Sequence, residues 1–241
     1  MRGRARRIRP RSAALNILLA AGLIASVPAV ATAAYVPPYV SVGTDPISVQ
    51  ISPNGTFAYV TNGADNTVSV IDTASRTVTG TINVGTHPHG VVFSPDSRTA
   101  YIANHGDLHK DEGSVSVIDT ATRAVRNVSV APLAAPSAVA VAPDGKKAYV
   151  VGFNYLSVID TATNVAQAVD IGRSHATDVK VTPDGSRVYI ADFASGSVVV
   201  VSTATNGVIA TVPLPPVPTS SPSRLMACAC TSPATRATRC T

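Results

Sequence analysis

Tryptophan is missing from these 241 residues, and aromatic side chains make up only 5% of them. Repeat types marked by a recurring Trp are thereby excluded. Three cysteines are present, Cys228, Cys230 and Cys240, all near the C-terminal end. No disulfide can staple the rest of the chain, and no thiol can act as a nucleophile there. Glutamate occurs once, as Glu112, so a centre ringed by carboxylates is poorly supplied. The net charge of +5 and the pI near 9.3 point to a polyanionic partner until the charges are located. Six arginines (Arg2, Arg4, Arg6, Arg7, Arg9, Arg11) lie in the first eleven residues, and Arg224, Arg236 and Arg239 lie near the end. Between Ala34 and Pro218 ten Lys/Arg stand against all fourteen Asp/Glu, a balance of −4. Phosphate-backbone binding needs clustered cations, so nucleic acid is disfavoured as a partner.

Residues 1–33 read as an export signal. An arginine-rich start precedes the apolar run Ala13 to Val27, then Pro28, then the small-residue site Ala31-Thr32-Ala33. Cleavage before Ala34 leaves no membrane span; the alternative is a retained membrane anchor. Arg6-Arg7 is a twin-arginine pair, but Arg9 and Pro10 stand where that route uses apolar residues, which favours the general secretory route. No cysteine follows the apolar run, so a lipoprotein anchor is excluded.

What fills the middle of the chain is a repeat. Thr56 to Thr73, TFAYVTNGADNTVSVIDT, holds two alternating apolar runs separated by an Asn/Gly/Asp turn, the pattern of two half-buried strands. Related stretches begin at Ala100, Ala148 and Val188. Pro53, Pro95, Pro143 and Pro183 occupy equivalent positions at spacings of 42, 48 and 40. Each repeat offers four short strands, in the first about Pro46–Ser52, Phe57–Asn62, Thr67–Asp72 and Thr77–Val84. Asn54-Gly55, Asp96-Ser97, Asp144-Gly145 and Asp184-Gly185 supply the positive φ of tight hairpins. Asp72, Asp119 and Asp160 close the third strands and read as turn caps. Four antiparallel strands per 40-odd residues, stacked radially, predict an all-β fold, a β-propeller with four-stranded blades. The expected blades are about 46–84, 88–130, 136–171 and 176–212, with an extra outer strand at 39–42.

AYVTN (58–62) with NTVSVIDTAS (66–75), behind VGTxP (42–46 and 84–88) and SPDG-type turns, resembles the YVTN family of β-propeller repeats, which includes YncE-like and surface-layer-associated proteins. The resemblance covers about 38 to 213. It departs most in the third unit, where Val151-Gly152 replaces Thr-Asn. It implies a secreted or cell-surface propeller acting as a non-enzymatic binding scaffold for a protein or cell-envelope ligand. Two alternatives stay open: a metal-dependent, lactonase-like hydrolase, and a DNA-binding propeller.

Four quartets fall short of the roughly seven blades usual for such rings, so the repeats read as a truncated part of a larger propeller, with open edges prone to self-association. The tail 214–241 has no alternation. Read one base back, Met226-Ala227 must encode Gly, and the neighbouring codons permit VVAVSPDG-x-RVYV followed by GNTV, the next repeat. The expectation is a frameshifted end; the alternative is a disordered Ser/Thr/Pro tail.

All five histidines fall in loops expected on one face. His87 and His89 flank Pro88, His175 aligns with His87, and His105 and His109 lie in the insertion HGDLHKDEG (105–113) beside Asp107, Asp111 and Glu112. Imidazole with carboxylate suits zinc or another divalent transition metal, although the spacing matches no established signature and an exposed polar insertion is more often simply solvated. The candidate ligands are therefore His87, His89, His105, Asp107, His109, Asp111, Glu112 and His175. No other cofactor is expected. No GxSxG elbow and no phosphate-cradling glycine loop is present, so no catalytic residue is assigned.

Overall fold

The computed structural model describes residues 39–107 and 113–215. The export signal, the tail beyond 215, and His109, Asp111 and Glu112 lie outside the described residues. Fourteen strands run in sequence among the described residues, with no helix. The first unit holds β1 (Pro46–Ile51), β2 (Phe57–Asn62), β3 (Thr67–Asp72) and β4 (Thr77–Asn83), within a residue of the strands expected from its alternation. The second holds β5 (Pro88–Phe93), β6 (Thr99–Asn104), β7 (Ser114–Asp119) and β8 (Val125–Ser129). Each unit is a four-stranded antiparallel sheet in sequential order.

The rest keeps the strands of the expected third and fourth quartets but joins the two units edge to edge. Here β9 (Ala134–Val141), β10 (Lys147–Asp160), β11 (Ala166–Val181), β12 (Arg187–Asp192), β13 (Ser197–Ser202) and β14 (Val208–Pro213) form one six-stranded sheet. β10 supplies both the second and the third strand of the third unit, and β11 supplies the last strand of that unit and the first of the fourth. Ala148–Val151 of β10 pairs with β9, and Tyr155–Ile159 pairs with β11, the partners changing around Asn154 at φ 64°. In β11, Ala166–Asp170 pairs with β10, while Asp178–Val181 pairs with β12. The bridge between the units is Phe153 opposite His175, whose rings lie 4.6 Å apart. The shortened turn after Val151 leaves no loop to separate the strands, so the ladder runs on.

One expectation fails. Residues 39–42 form no strand, and Tyr39 is exposed. The segment alternates like a strand, but an extended run without a neighbour must leave its N–H and C=O groups to water.

Apolar cores lie between successive units. Tyr59, Val68 and Ile82 pack with Val91, Phe93 and Ile102. Tyr101, Ala103 and Val128 meet Val139 and Val150, and Tyr149, Val151 and Leu156 meet Val179 and Ile190. Ala100 and Ile102 thus face the first unit while Tyr101 and Ala103 face the third, as strict strand alternation requires. Both faces of β6 are buried, and that explains its continuous apolar run. The first unit has a neighbour on one side only. Val49 is 63% exposed, whereas its equivalents Val91, Val139 and Val179 are 6%, 7% and 1% exposed.

Repeated polar residues hold the turns. The Asp72 carboxylate accepts from the Ser75 amide and hydroxyl, and Asp119 and Asp160 do the same with Thr122 and Thr163. The asparagine that ends the second strand is buried. Asn62 donates to Thr67 and Ser69, and Asn104 to Ser114 and Ser116. A glycine is required above each amide: a Cβ on Gly43 would stand 2.6–2.7 Å from the Asn62 side chain and 2.5 Å from Asp65 Oδ2, and one on Gly85 would stand 2.5 Å from Asn104 Nδ2.

Candidate functional site

The first strands of the units, β1, β5, β9 and the second half of β11, border one cavity of about 430 Å³. Two hydroxyls tie neighbours together around it. Thr61 donates to the His89 carbonyl at 2.7 Å, and Ser137 to the Ala176 carbonyl at 2.7 Å. At Gly90 the backbone of β9 comes so close that a Cβ would lie 2.9 Å from Ala138 Cα. The wall is mixed: Ser48, Gln50, Ser137 and Thr177 offer neutral polar groups, and Lys180 binds Asp178 at 2.9 Å.

His87 ends the turn before β5, His89 lies in β5, and His105 follows β6. Alternation sends the side chains either side of Pro88 to one edge, and the β5–β6 ladder brings the third residue beside them. The His105 amide donates to the His87 carbonyl at 3.0 Å. One nitrogen from each ring can be chosen so that all three lie within 4.8 Å of one another. His87 Nδ1 and His89 Nε2 are 3.1 Å apart, and the rings of His89 and His105 stack with centroids 4.6 Å apart. Positive φ at His87 (51°) is shared by Asp45 (55°) and Ala135 (50°), so this strain belongs to the repeated turn and not to the histidines.

Burial holds His89 down to about 4, helped by the neighbouring imidazoles of His105 and His87. Burial also lowers His105, against an opposing contribution from the Gly106 carbonyl. Burial thus favours the neutral form of both rings, in which one nitrogen of each carries a lone pair. His87 Nε2 lies 3.8 Å from Asp45 Oδ2, and His105 Nδ1 lies 3.4 Å from the Gly106 carbonyl.

Of the eight candidate ligands, His87, His89 and His105 come together. His175 borders the same cavity but packs between Phe153 and Phe193, outside that trio. Asp107 is half-buried just beyond His105 and is not part of the group. Asp45, Gln50, Asp178 and Lys180 were not among the expected site residues. Asp45 carried a usable signal, since it stands in VGTDP where His87 stands in VGTHP.

Residues 43–135 match the family model described as a choice-of-anchor I domain, which is under half of the chain. No curated protein matches. Among solved structures the chain is similar to Kuenenia stuttgartiensis hydrazine synthase, at 25% identity and a TM-score of 0.64. That likeness covers 75% of this chain and 53% of the other, so the present chain spans about half that protein's length. The chain is thus an all-β protein of antiparallel, propeller-like four-stranded units, similar over 43–135 to the choice-of-anchor I domain.

Proposed function

We propose that the chain is an extracytoplasmic YVTN-type propeller module that binds a cell-envelope ligand without transforming it. The observation that carries this reading is the shared cavity. Its polar groups sit on strands each laddered to the second strand of its own unit, and the Thr61 and Ser137 hydroxyls tie neighbouring units together, so donors and acceptors are fixed before a ligand arrives. Ser48, Gln50, Ser137 and Thr177 alternate with apolar wall, and Lys180 with Asp178 adds one group of each charge. Such a surface suits a neutral or zwitterionic polar ligand. The apolar run at 13–27 followed by a small-residue site supports export. The similarity to a family named for anchoring supports a place at the surface.

Two measurements test the proposal. In intact cells, external protease should remove an epitope placed in the repeats. Purified chain should bind isolated cell envelopes saturably, and Gln50→Ala with Lys180→Ala should weaken that binding at least tenfold. A protected cytoplasmic epitope, or envelope binding indifferent to those substitutions, would overturn it.

A further inference from the structure

We propose that His87, His89 and His105 form a three-imidazole site for a divalent transition metal of the zinc class. Nitrogens around a tetrahedral zinc, at bonds of about 2.0–2.1 Å, stand about 3.3–3.4 Å apart. His87 Nδ1 and His89 Nε2 already lie 3.1 Å apart, close to one tetrahedral edge. The whole set spans no more than 4.8 Å, a distance that a half-buried ring closes by rotating about its side-chain torsions.

The far side of two rings is also arranged for a metal. When a ligating imidazole gives one nitrogen to the ion, the other carries a proton and needs an acceptor. His87 has Asp45 Oδ2 at 3.8 Å from Nε2, which leaves Nδ1 facing His89. His105 has the Gly106 carbonyl at 3.4 Å from Nδ1, which leaves Nε2 as the lone-pair nitrogen. The His105 amide on the His87 carbonyl fixes the two backbones against each other. The ligand positions are therefore set by the β5–β6 ladder, not by a loose loop.

The donor set decides the ion. Neutral imidazole nitrogens suit zinc, copper, nickel and cobalt, while calcium and magnesium demand oxygen. Three protein ligands leave a fourth position for water or for an oxygen of whatever occupies the cavity. No residue of 108–112 is needed. The inference stands apart from the envelope-binding reading: a chain that holds the ion and ignores envelopes refutes only the latter.

The test uses the full chain without a polyhistidine tag, with Cys228→Ser, Cys230→Ser and Cys240→Ser so that no thiolate competes. After chelator treatment, titration with Zn²⁺ by calorimetry should give one equivalent per chain, and Co²⁺ should develop visible ligand-field absorption. Excess Mg²⁺ or Ca²⁺ should displace neither. His87→Gln, His89→Gln and His105→Gln should each lose at least tenfold in affinity, while His175→Gln stays within twofold. Asp45→Asn keeps all three imidazoles and should still lose about tenfold, the lower end for an orienting partner. Variants are compared by circular dichroism in chelator; if a ligand variant misfolds, Asp45→Asn and the metal stoichiometry decide. Absence of stoichiometric binding, retention of affinity in His89→Gln, or an equal loss in His175→Gln would overturn the proposal.

Discussion

One position in three repeats offers a test with opposite signs. Ser69, Ser116 and Ser157 stand three residues before the aspartate that ends the third strand, and all are buried. Asn62 Nδ2 donates to Ser69 at 3.0 Å, and Asn104 Nδ2 to Ser116 at 2.9 Å. Ser116 also accepts from the Gly85 amide at 3.1 Å and donates to Asn127 at 2.8 Å. In the third unit Gly152 stands where the asparagine should be. Restoring a side chain there is blocked, because a Cβ would run into the Ala134 and Ala135 carbonyls. Ser157 Oγ is left without a partner at 1% exposure.

A buried hydroxyl with no hydrogen bond costs about 1–3 kcal/mol. Ser157→Ala removes that oxygen and leaves a gap of one atom, so it should stabilise the chain by about 1 kcal/mol. Ser116→Ala takes one of two acceptors from the buried Asn104 amide and the acceptor of the Gly85 N–H, and should cost about 2 kcal/mol. Urea unfolding followed by circular dichroism reads both, provided the slope m stays constant, since stacked units can lose cooperativity. By heat, 1 kcal/mol corresponds to about 2–4 °C in a chain of this size. If Ser157→Ala lowers the midpoint as far as Ser116→Ala does, the hydroxyl is satisfied in solution and the reasoning fails.

Three further outcomes follow from the same geometry. Gly85→Ala should destabilise by about 1–3 kcal/mol, because the new methyl meets the buried Asn104 amide, and an unchanged melting temperature would refute the packing argument. Hydrogen bonds from the Ser75, Thr122 and Thr163 amides hold Asp72, Asp119 and Asp160 below the usual carboxylate range, and the Thr182 hydroxyl helps hold Asp184 at about 2. Folded values below the unfolded one of about 3.9 mean stability present above that pH and lost as pH falls toward 2, so Asp184→Asn, which keeps an acceptor oxygen, should flatten the acid limb of the melting curve. Val49→Thr should change stability by under about 0.5 kcal/mol, while Val91→Thr and Val179→Thr, at the same position but packed against a preceding unit, should cost about 1–2 kcal/mol. Val49→Lys should in addition shift sedimentation toward monomer; a parent chain already monomeric at high concentration would refute the sticky open face.

What the sequence made legible was local. Strand alternation and Asn-Gly or Asp-Gly turns are decided within a few residues, and they placed β1 to β4 within a residue of where they lie. What it hid depends on partners far along the chain. Residues 39–42 alternate like a strand and are none, because pairing needs a neighbour that local pattern cannot supply. The fused ladder of the last six strands turns on Phe153 meeting His175, residues of two different units. The histidine trio turns on the corresponding pairing in the second unit. A backbone bond joins the paired positions 45 and 63, 87 and 105, and 175 and 193, and their occupants are Asp and Gly, His and His, His and Phe. The third imidazole, His89, occupies the position held elsewhere by Ile47, Ser137 and Thr177. Aligning the repeats finds each histidine alone; only the ladder register shows that the second unit alone stacks three of them, with Asp45 of the preceding unit behind. The aligned histidine of the fourth unit, His175, then cannot make a second copy of the site, because the residue that donates to its carbonyl is Phe193 and the position two residues on is Thr177.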